Sequence, residues 1–353
     1  MKNIITVGAA LMLTTTAATA GGLDRSGQGI GAIFEDGRYV ELGYGYVTPN
    51  VTGTVGAGTV SSGNVAPAYG VASFAYKADL DEKVSLAFII DQPFGAAVDY
   101  SNADPDYPLG TNPLSDATSA NVDSVSVTVV GRYKLSENLS VHFGPRYLTA
   151  SGDYMRSAPT QYTSTYESGS SSGYVAGVAY ERPEIALRVA LTYSSAIDLE
   201  LDGSDGNLVV RMPESFNLNF QSGVAADTLL FGSVRWAKWT NADITDLEDG
   251  NLISYDEDTV SYALGVGRKF SDRFSGALSI GYEAAQGGDT TNLSPTDGNK
   301  SIGLGGTYNM DNGIELTGGV RYIMAGDTIT ELLSAEFTDN SAVAVGLKVA
   351  YTY

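Results

Sequence analysis

The chain has 353 residues, no cysteine, 41 acidic against 20 basic residues and a formal net charge of -21. That balance excludes a nucleic-acid partner, because few cations are available to neutralise phosphates; the lack of cysteine excludes a disulfide framework and thiolate metal sites. Only 17% of residues are charged, while Gly (42) and Tyr (22) are abundant, a mixture that suits many strands with two unlike faces better than a helical enzyme.

The chain opens with Lys2, a short apolar run from Ile4 to Leu13, and Ala18-Thr19-Ala20. These features read as a secretory signal peptide over 1–20, with the mature protein starting near Gly21. No later segment approaches the roughly 18 consecutive apolar residues of a membrane helix. Residues 21–37 form a short glycine-rich stretch, and period-2 alternation begins after it. Phe216, Leu218 and Phe220 interleave with Asn217, Asn219 and Gln221; Ile185, Leu187, Val189, Leu191 and Tyr193 interleave with Ala186, Arg188, Ala190, Thr192 and Ser194. Such alternation marks a strand between two different environments.

Fourteen such segments are predicted, near 38–47, 68–78, 84–92, 122–134, 139–150, 173–181, 184–196, 214–222, 228–239, 259–270, 274–285, 300–310, 313–325 and 342–353. Tight linkers such as Asp79-Leu80-Asp81-Glu82 and Asp311-Asn312-Gly313 alternate with long ones at 48–67, 93–121, 151–172, 197–213, 240–258, 286–299 and 326–341. Short periplasmic turns alternating with long surface loops is the pattern of an outer-membrane β-barrel. Fold class is therefore all-β: a transmembrane antiparallel barrel over 38–353, about 28 Å across at this strand number.

Charge placement agrees with that reading. On the faces assigned to lipid the only charges are Asp123, Lys238 and Arg268, each near a segment end. The opposite faces carry Glu41, Asp91, Arg132, His142, Arg146, Arg188, Arg235, Glu283, Glu315, Arg321 and Lys348. A cation at the bilayer midplane costs about 2–4 kcal/mol, so this asymmetry sorts outside from lumen. The acidic surface loops, including Asp243, Asp246, Glu248 and Asp249, read as solvated, with a surface divalent-cation site as the sharper alternative.

Several stretches, in order and spacing, resemble the FadL/TodX (OMPP1) family of outer-membrane transporters for long-chain fatty acids and aromatic hydrocarbons. They are Tyr46-Val47-Thr48-Pro49-Asn50-Val51-Thr52-Gly53, Pro183-Glu184-Ile185-Ala186-Leu187-Arg188-Val189, Met212-Pro213-Glu214-Ser215-Phe216, Trp236-Ala237-Lys238-Trp239, Leu293-Ser294-Pro295-Thr296-Asp297-Gly298 and Gly319-Val320-Arg321-Tyr322. The resemblance implies fourteen strands, an N-terminal hatch in the lumen, a luminal binding site and a lateral opening beside a kinked third strand. Ser26-Gly27-Gln28-Gly29-Ile30-Gly31-Ala32 resembles the start of that hatch, although Ala32-Ile33-Phe34-Glu35-Asp36 stands where the family has Asn-Pro-Ala.

The candidate ligand contacts are Ile30, Ile33 and Phe34 on the hatch-like segment and Tyr154, Met155 and Tyr162 in the third surface loop. The candidate lateral opening is Asp91, Pro93, Phe94 and Gly95, since proline donates no ladder hydrogen bond and glycine weakens pairing. The lone histidine, His142, faces the lumen beside Arg146 and reads as part of a polar network. No catalytic set, cofactor or metal site is expected. The expected partners are a hydrophobic small molecule, outer-membrane lipid and the barrel-assembly machinery, the last through the terminal strand Val343 to Tyr353. A general diffusion porin for small polar solutes is the rival function, which the inward charges keep open; a receptor or adhesin carried by the loops is the third.

Overall fold

A computed structural model describes residues 23–112 and 115–353; the signal-peptide expectation lies outside them. Alternation does in space what it does in sequence. In Ser341–Thr352, Ala342, Ala344, Lys348 and Ala350 are buried while Val343, Val345, Leu347 and Val349 are exposed, Leu347 by 55%. Exposure of aliphatic side chains in register around a closed sheet is what a lipid solvent permits and water does not.

The wall strands are β1 (Tyr39–Asn50), β2 (Tyr69–Asp79), β3 in two halves (β3a, Val84–Asp91; β3b, Gly95–Asp99), β4 (Ser119–Lys134), β5 (Leu139–Arg156), β6 (Tyr162–Arg182) and β7 (Leu187–Ser194). They continue as β8 (Ser215–Ala225), β9 (Thr228–Ala237), β10 (Thr259–Lys269), β11 (Phe274–Glu283), β12 (Asn299–Asn309), β13 (Ile314–Ala325) and β14 (Ser341–Thr352). Neighbours pair antiparallel in chain order, β14 pairs with β1, and pairing of β3a with β4 closes the cylinder. Counting β3 once, fourteen strands surround the lumen, and closure leaves no long free edge. At the periplasmic end, Arg38 and Tyr353 exchange backbone hydrogen bonds of 3.2 and 2.9 Å, which zips the two ends of the barrel together.

Tight turns sit at this end because their side chains satisfy the chain reversal. Asp81 Oδ1, for example, accepts from the amides of Lys83 (2.7 Å) and Val84 (2.8 Å). Toward the surface, an aromatic belt crosses β6 to β9, with ring centroids 5.9 Å apart for Tyr174–Tyr193, 5.0 Å for Tyr193–Phe216 and 5.8 Å for Phe216–Trp236. Amphipathic rings at that depth suit the membrane interface.

Several boundaries differ from the sequence expectation: β1 runs on to Asn50, and within 93–121, expected as loop, β3b pairs with β4, which starts at Ser119. Pro183–Ile185 is a 3-10 turn, with Ala186 left-handed (φ 50°), so β7 starts at Leu187 instead of 184; proline and a reversal there preclude ladder pairing. Residues 151–172, expected as loop, instead extend β5 to Arg156 and begin β6 at Tyr162. Their Ser, Thr and Gly content lacks apolar alternation because both faces of this hairpin stand above the lipid. The other long loops also carry structure. Thr52–Val55, Val60–Asn64, Thr328–Ile329 and Glu336–Phe337 form one small sheet, and Ile197–Leu201, Leu208–Met212, Ile244–Asp246 and Gly250–Ile253 form another.

Candidate functional site

The N-terminal segment enters the lumen, and the inward charges of the wall hold it there. Asp24 makes a two-pronged ion pair with Arg235 (2.7 and 2.9 Å), with both side chains buried. Ser26 donates to Asp91 at 2.6 Å. Arg146 donates to Gln28 Oε1 at 2.9 Å, and Asn217 Nδ2 donates to the Gly27 carbonyl at 2.9 Å. Further along, Gly31–Phe34 forms a 3-10 turn whose Ile33 and Phe34 pack with Ile30 against small inward residues, among them Ala75, Ala87, Ala179 and Ala190. The guanidinium groups of Arg132 and Arg188 lie over the Phe34 ring at 4.9 and 5.0 Å, and His142 meets its edge at 5.8 Å. Cation–π pairs in a dry environment reach about 2 kcal/mol each, so Phe34 is a strong anchor. His142 is buried and shares a 3.0 Å hydrogen bond with Thr192 Oγ1.

The segment also meets the wall where the wall is broken. β2 pairs with β3a only as far as Phe74↔Ile90, and β3a ends at Asp91↔Ser126. Pairing with β4 resumes at Gly95↔Asp123, so β3 spends four steps where β4 spends three. The surplus residue makes a bulge that reverses which side the following residues face. Ser124 satisfies the break by accepting from the Phe94 amide (3.0 Å) and donating to its carbonyl (2.6 Å), and Gln92 Oε1 accepts from the Ala72 amide (2.7 Å).

Two apolar regions flank this break. On the surface side, Tyr154, Tyr166, Leu199, Leu208, Met212, Trp239 and Ile244 form a core that also contains Leu23 and Phe94. Phe94 and Trp239 meet edge to face at 6.4 Å. On the lumen side lies a cavity of roughly 310 Å³, with Ile30, Phe34, Asp91, Ile323, Arg321 and Glu283 among its lining residues.

The sequence-selected residues thus fall into separate places. Ile30 and Phe34 line the cavity; Ile33, fully buried, packs behind them. Tyr154 belongs to the surface core, Tyr162 packs against it, and Met155 is only half-buried outside it. Asp91, Pro93, Phe94 and Gly95 stand together at the break. Leu23, Asp24 and Arg25 were not singled out, and Ser26, Gln28 and Trp239 figured only in stretches of family resemblance and not as site residues. A signal beside the hatch resemblance was Asp123, a charge on an outward face, which pairs with Arg25.

Surface acids Asp246 and Asp249 are also engaged. Asp246, fully buried, accepts from Tyr162 (2.8 Å), Tyr166 (2.6 Å) and the amides of Glu248 and Asp249; Asp249 pairs with Arg156. No group of three or more metal-ligating side chains occurs among the described residues. Burial pushes the Asp246 carboxyl up, but these donors together hold it below the ordinary value of 3.8. A depressed carboxylate stabilises the fold above that value, and its contribution is lost as pH falls through the lower folded value. Tyr166→Phe is expected to cost the surface sheet about 1–2 kcal/mol and to move its acid loosening to higher pH, read as faster proteolysis of the surface loops in acid.

Residues 32–353 match a family described as "Outer membrane protein transport protein (OMPP1/FadL/TodX)". Among curated proteins none matches the sequence. The fold is similar to a Pseudomonas aeruginosa FadL homologue (13% identity, 91% of each chain, TM-score 0.72) and to the P. putida toluene transporter TodX (13%, 92% of each chain, 0.68). It is also similar to the Ralstonia pickettii toluene transporter TbuX (12%, 100% of each chain, 0.66).

Proposed function

As a member of the OMPP1/FadL/TodX family of outer-membrane transport proteins, this chain, we propose, passes hydrophobic small molecules, long-chain fatty acids or aromatic hydrocarbons, across the bacterial outer membrane without chemistry. The ligand enters through the apolar core of the surface loops at Tyr154, Tyr162 and Trp239. It descends to Phe94, occupies the cavity beside Ile30 and Phe34, and leaves sideways at the break between β2 and β3 down its gradient.

One observation carries this reading: five of the luminal charges are engaged with the N-terminal segment. Arg132, Arg146, Arg188, Arg235 and Asp91 each contact residues 24–34. A general diffusion porin needs those charges free around an open constriction. Here those five hold the N-terminal segment beside a cavity that Ile30 and Phe34 help to line, and the similar solved structures include toluene transporters. His142, the histidine of the chain, is buried with its ring edge against Phe34 and its hydrogen bond on Thr192 Oγ1, which places it in the docking contact of the segment.

The test is reconstitution. Vesicles carrying the protein should take up a fluorescent long-chain fatty acid or toluene faster than empty vesicles, with little swelling in sugars. Fast sugar permeation without hydrophobic uptake would establish the porin instead. Trp239→Ala should weaken half-saturation by on the order of tenfold, equivalent to the roughly 1.4 kcal/mol of one buried aromatic contact.

A further inference from the structure

The cavity beside the N-terminal segment has two unlike walls. Ile30, Phe34 and Ile89 make an apolar one, while Ser261, Ser279 and Glu283 line it from β10 and β11, on the far side of the barrel from β3a. Alternation along β11 sets that second wall: Leu278, Ile280 and Tyr282 are exposed on the lipid face, and Ser279 and Glu283 are buried on the other. A space of this kind suits an amphiphile, with an apolar body against one wall and a polar head against the other.

Which head it suits follows from what the polar wall leaves unpaired. Glu283 is only 6% exposed; Ser261 Oγ donates to its Oε2, while its Oε1 is buried with no hydrogen-bond partner in the protein. Arg235, a cation on the same cavity, spends its donors on Asp24, Ser215 and Asn217. A buried acceptor without a donor carries a desolvation cost that an O–H or N–H of a ligand would offset. The approach favours the same chemistry. Glu248, Asp256 and Glu257 are exposed on the surface loops of a chain with formal net charge -21, so an anionic head is repelled before it reaches the lumen.

We infer that Glu283 selects the head group of the ligand, and that this cavity prefers hydroxylated hydrophobes, phenols and alcohols, over the corresponding hydrocarbons, ethers and carboxylates. The inference rests on the transport reading above, which makes the cavity a stop on the ligand's path, and adds what that stop recognises. The hydroxyl donates to Glu283 Oε1, and the apolar body lies toward Ile30 and Phe34.

The test is a fluorine NMR titration of the full chain in lipid nanodiscs, with empty nanodiscs correcting for partition into lipid. The probes para-fluorophenol, para-fluoroanisole and para-fluorobenzoate share one ring and differ in a head that donates, cannot donate, or carries negative charge. The phenol is expected to bind about tenfold tighter than the anisole, the worth of one hydrogen bond to a carboxylate, and the benzoate more weakly than the phenol. Glu283→Met should abolish the difference between phenol and anisole, and Glu283→Gln, which keeps a carbonyl acceptor, should retain part of it; heat-dependent gel mobility checks that both variants fold. Equal affinity of phenol and anisole for the native chain, a benzoate that binds as tightly as the phenol, a preference that survives Glu283→Met, or no binding of any probe would overturn the inference. Transport is read separately: vesicles that take up a hydrophobic probe while the native chain shows no preference for the phenol would refute head-group selection and leave the transport reading standing.

Discussion

Deletion of Pro93 is expected to reduce uptake of a hydrophobic probe by on the order of tenfold or more while the barrel remains folded, because one restored ladder hydrogen bond alone contributes about 1 kcal/mol. Asp91 registers with inward Ser126 and Gly95 with outward Asp123, so four steps along β3 change sides where a regular strand would return to the same side. Removing one residue equalises the count between β3 and β4. Removing this residue also takes out the one backbone position that cannot donate to a ladder. A continuous β3 would then offer an edge to β2 above Phe74, where pairing now stops. Initial uptake rates in vesicles, with heat-dependent gel mobility as the folding control, decide the matter. Undiminished uptake through a folded deletion variant would rule out a sideways exit.

Replacing Arg235 by Met is the second large effect, and it acts on the lumen. Arg235 holds both carboxylate oxygens of Asp24 and also donates to Ser215 Oγ (2.9 Å) and Asn217 Oδ1 (3.1 Å). Removing one half of a buried pair leaves the other charge uncompensated, at a cost of about 3–5 kcal/mol. The wall ladders do not pass through this contact, so the loss falls on the docking of residues 23–28. The expected result is faster deuterium exchange across 23–35 and a higher single-channel conductance, with barrel stability little changed. Asp24→Leu added to Arg235→Met should recover much of the protection, since no charge is then stranded. Exchange and conductance equal to the native protein would show that the segment is held elsewhere, at Phe34 above all.

The wall was readable in advance because its cause is local. A strand between lipid and a wet lumen must alternate, and the run from Val343 to Tyr351 states its two faces residue by residue. The same rule located the inward charges, including Arg188 and Arg235, and the outward Asp123. Boundaries slipped where alternation ceases to be required: at Ala186, where a left-handed turn starts β7 late, and in 151–172, where the hairpin has left the membrane.

The site was only partly readable, for a different reason. Pro93 and Gly95 mark an irregular strand in any context, and Ile30, Ile33 and Phe34 are apolar residues in a glycine-rich segment. Nothing local says that Asp24 belongs to Arg235, 211 positions away, or Arg25 to Asp123, 98 positions away. Nor does it separate Tyr154 from Phe34, which lie in different apolar clusters. By itself the sequence determined that this is a closed wall of alternating strands with a charged interior and one faulty strand. What those charges hold, and what fills the fault, was decided only when folding brought the N-terminal segment into the lumen, because such pairings depend on distances set by the whole barrel and not by any stretch of chain.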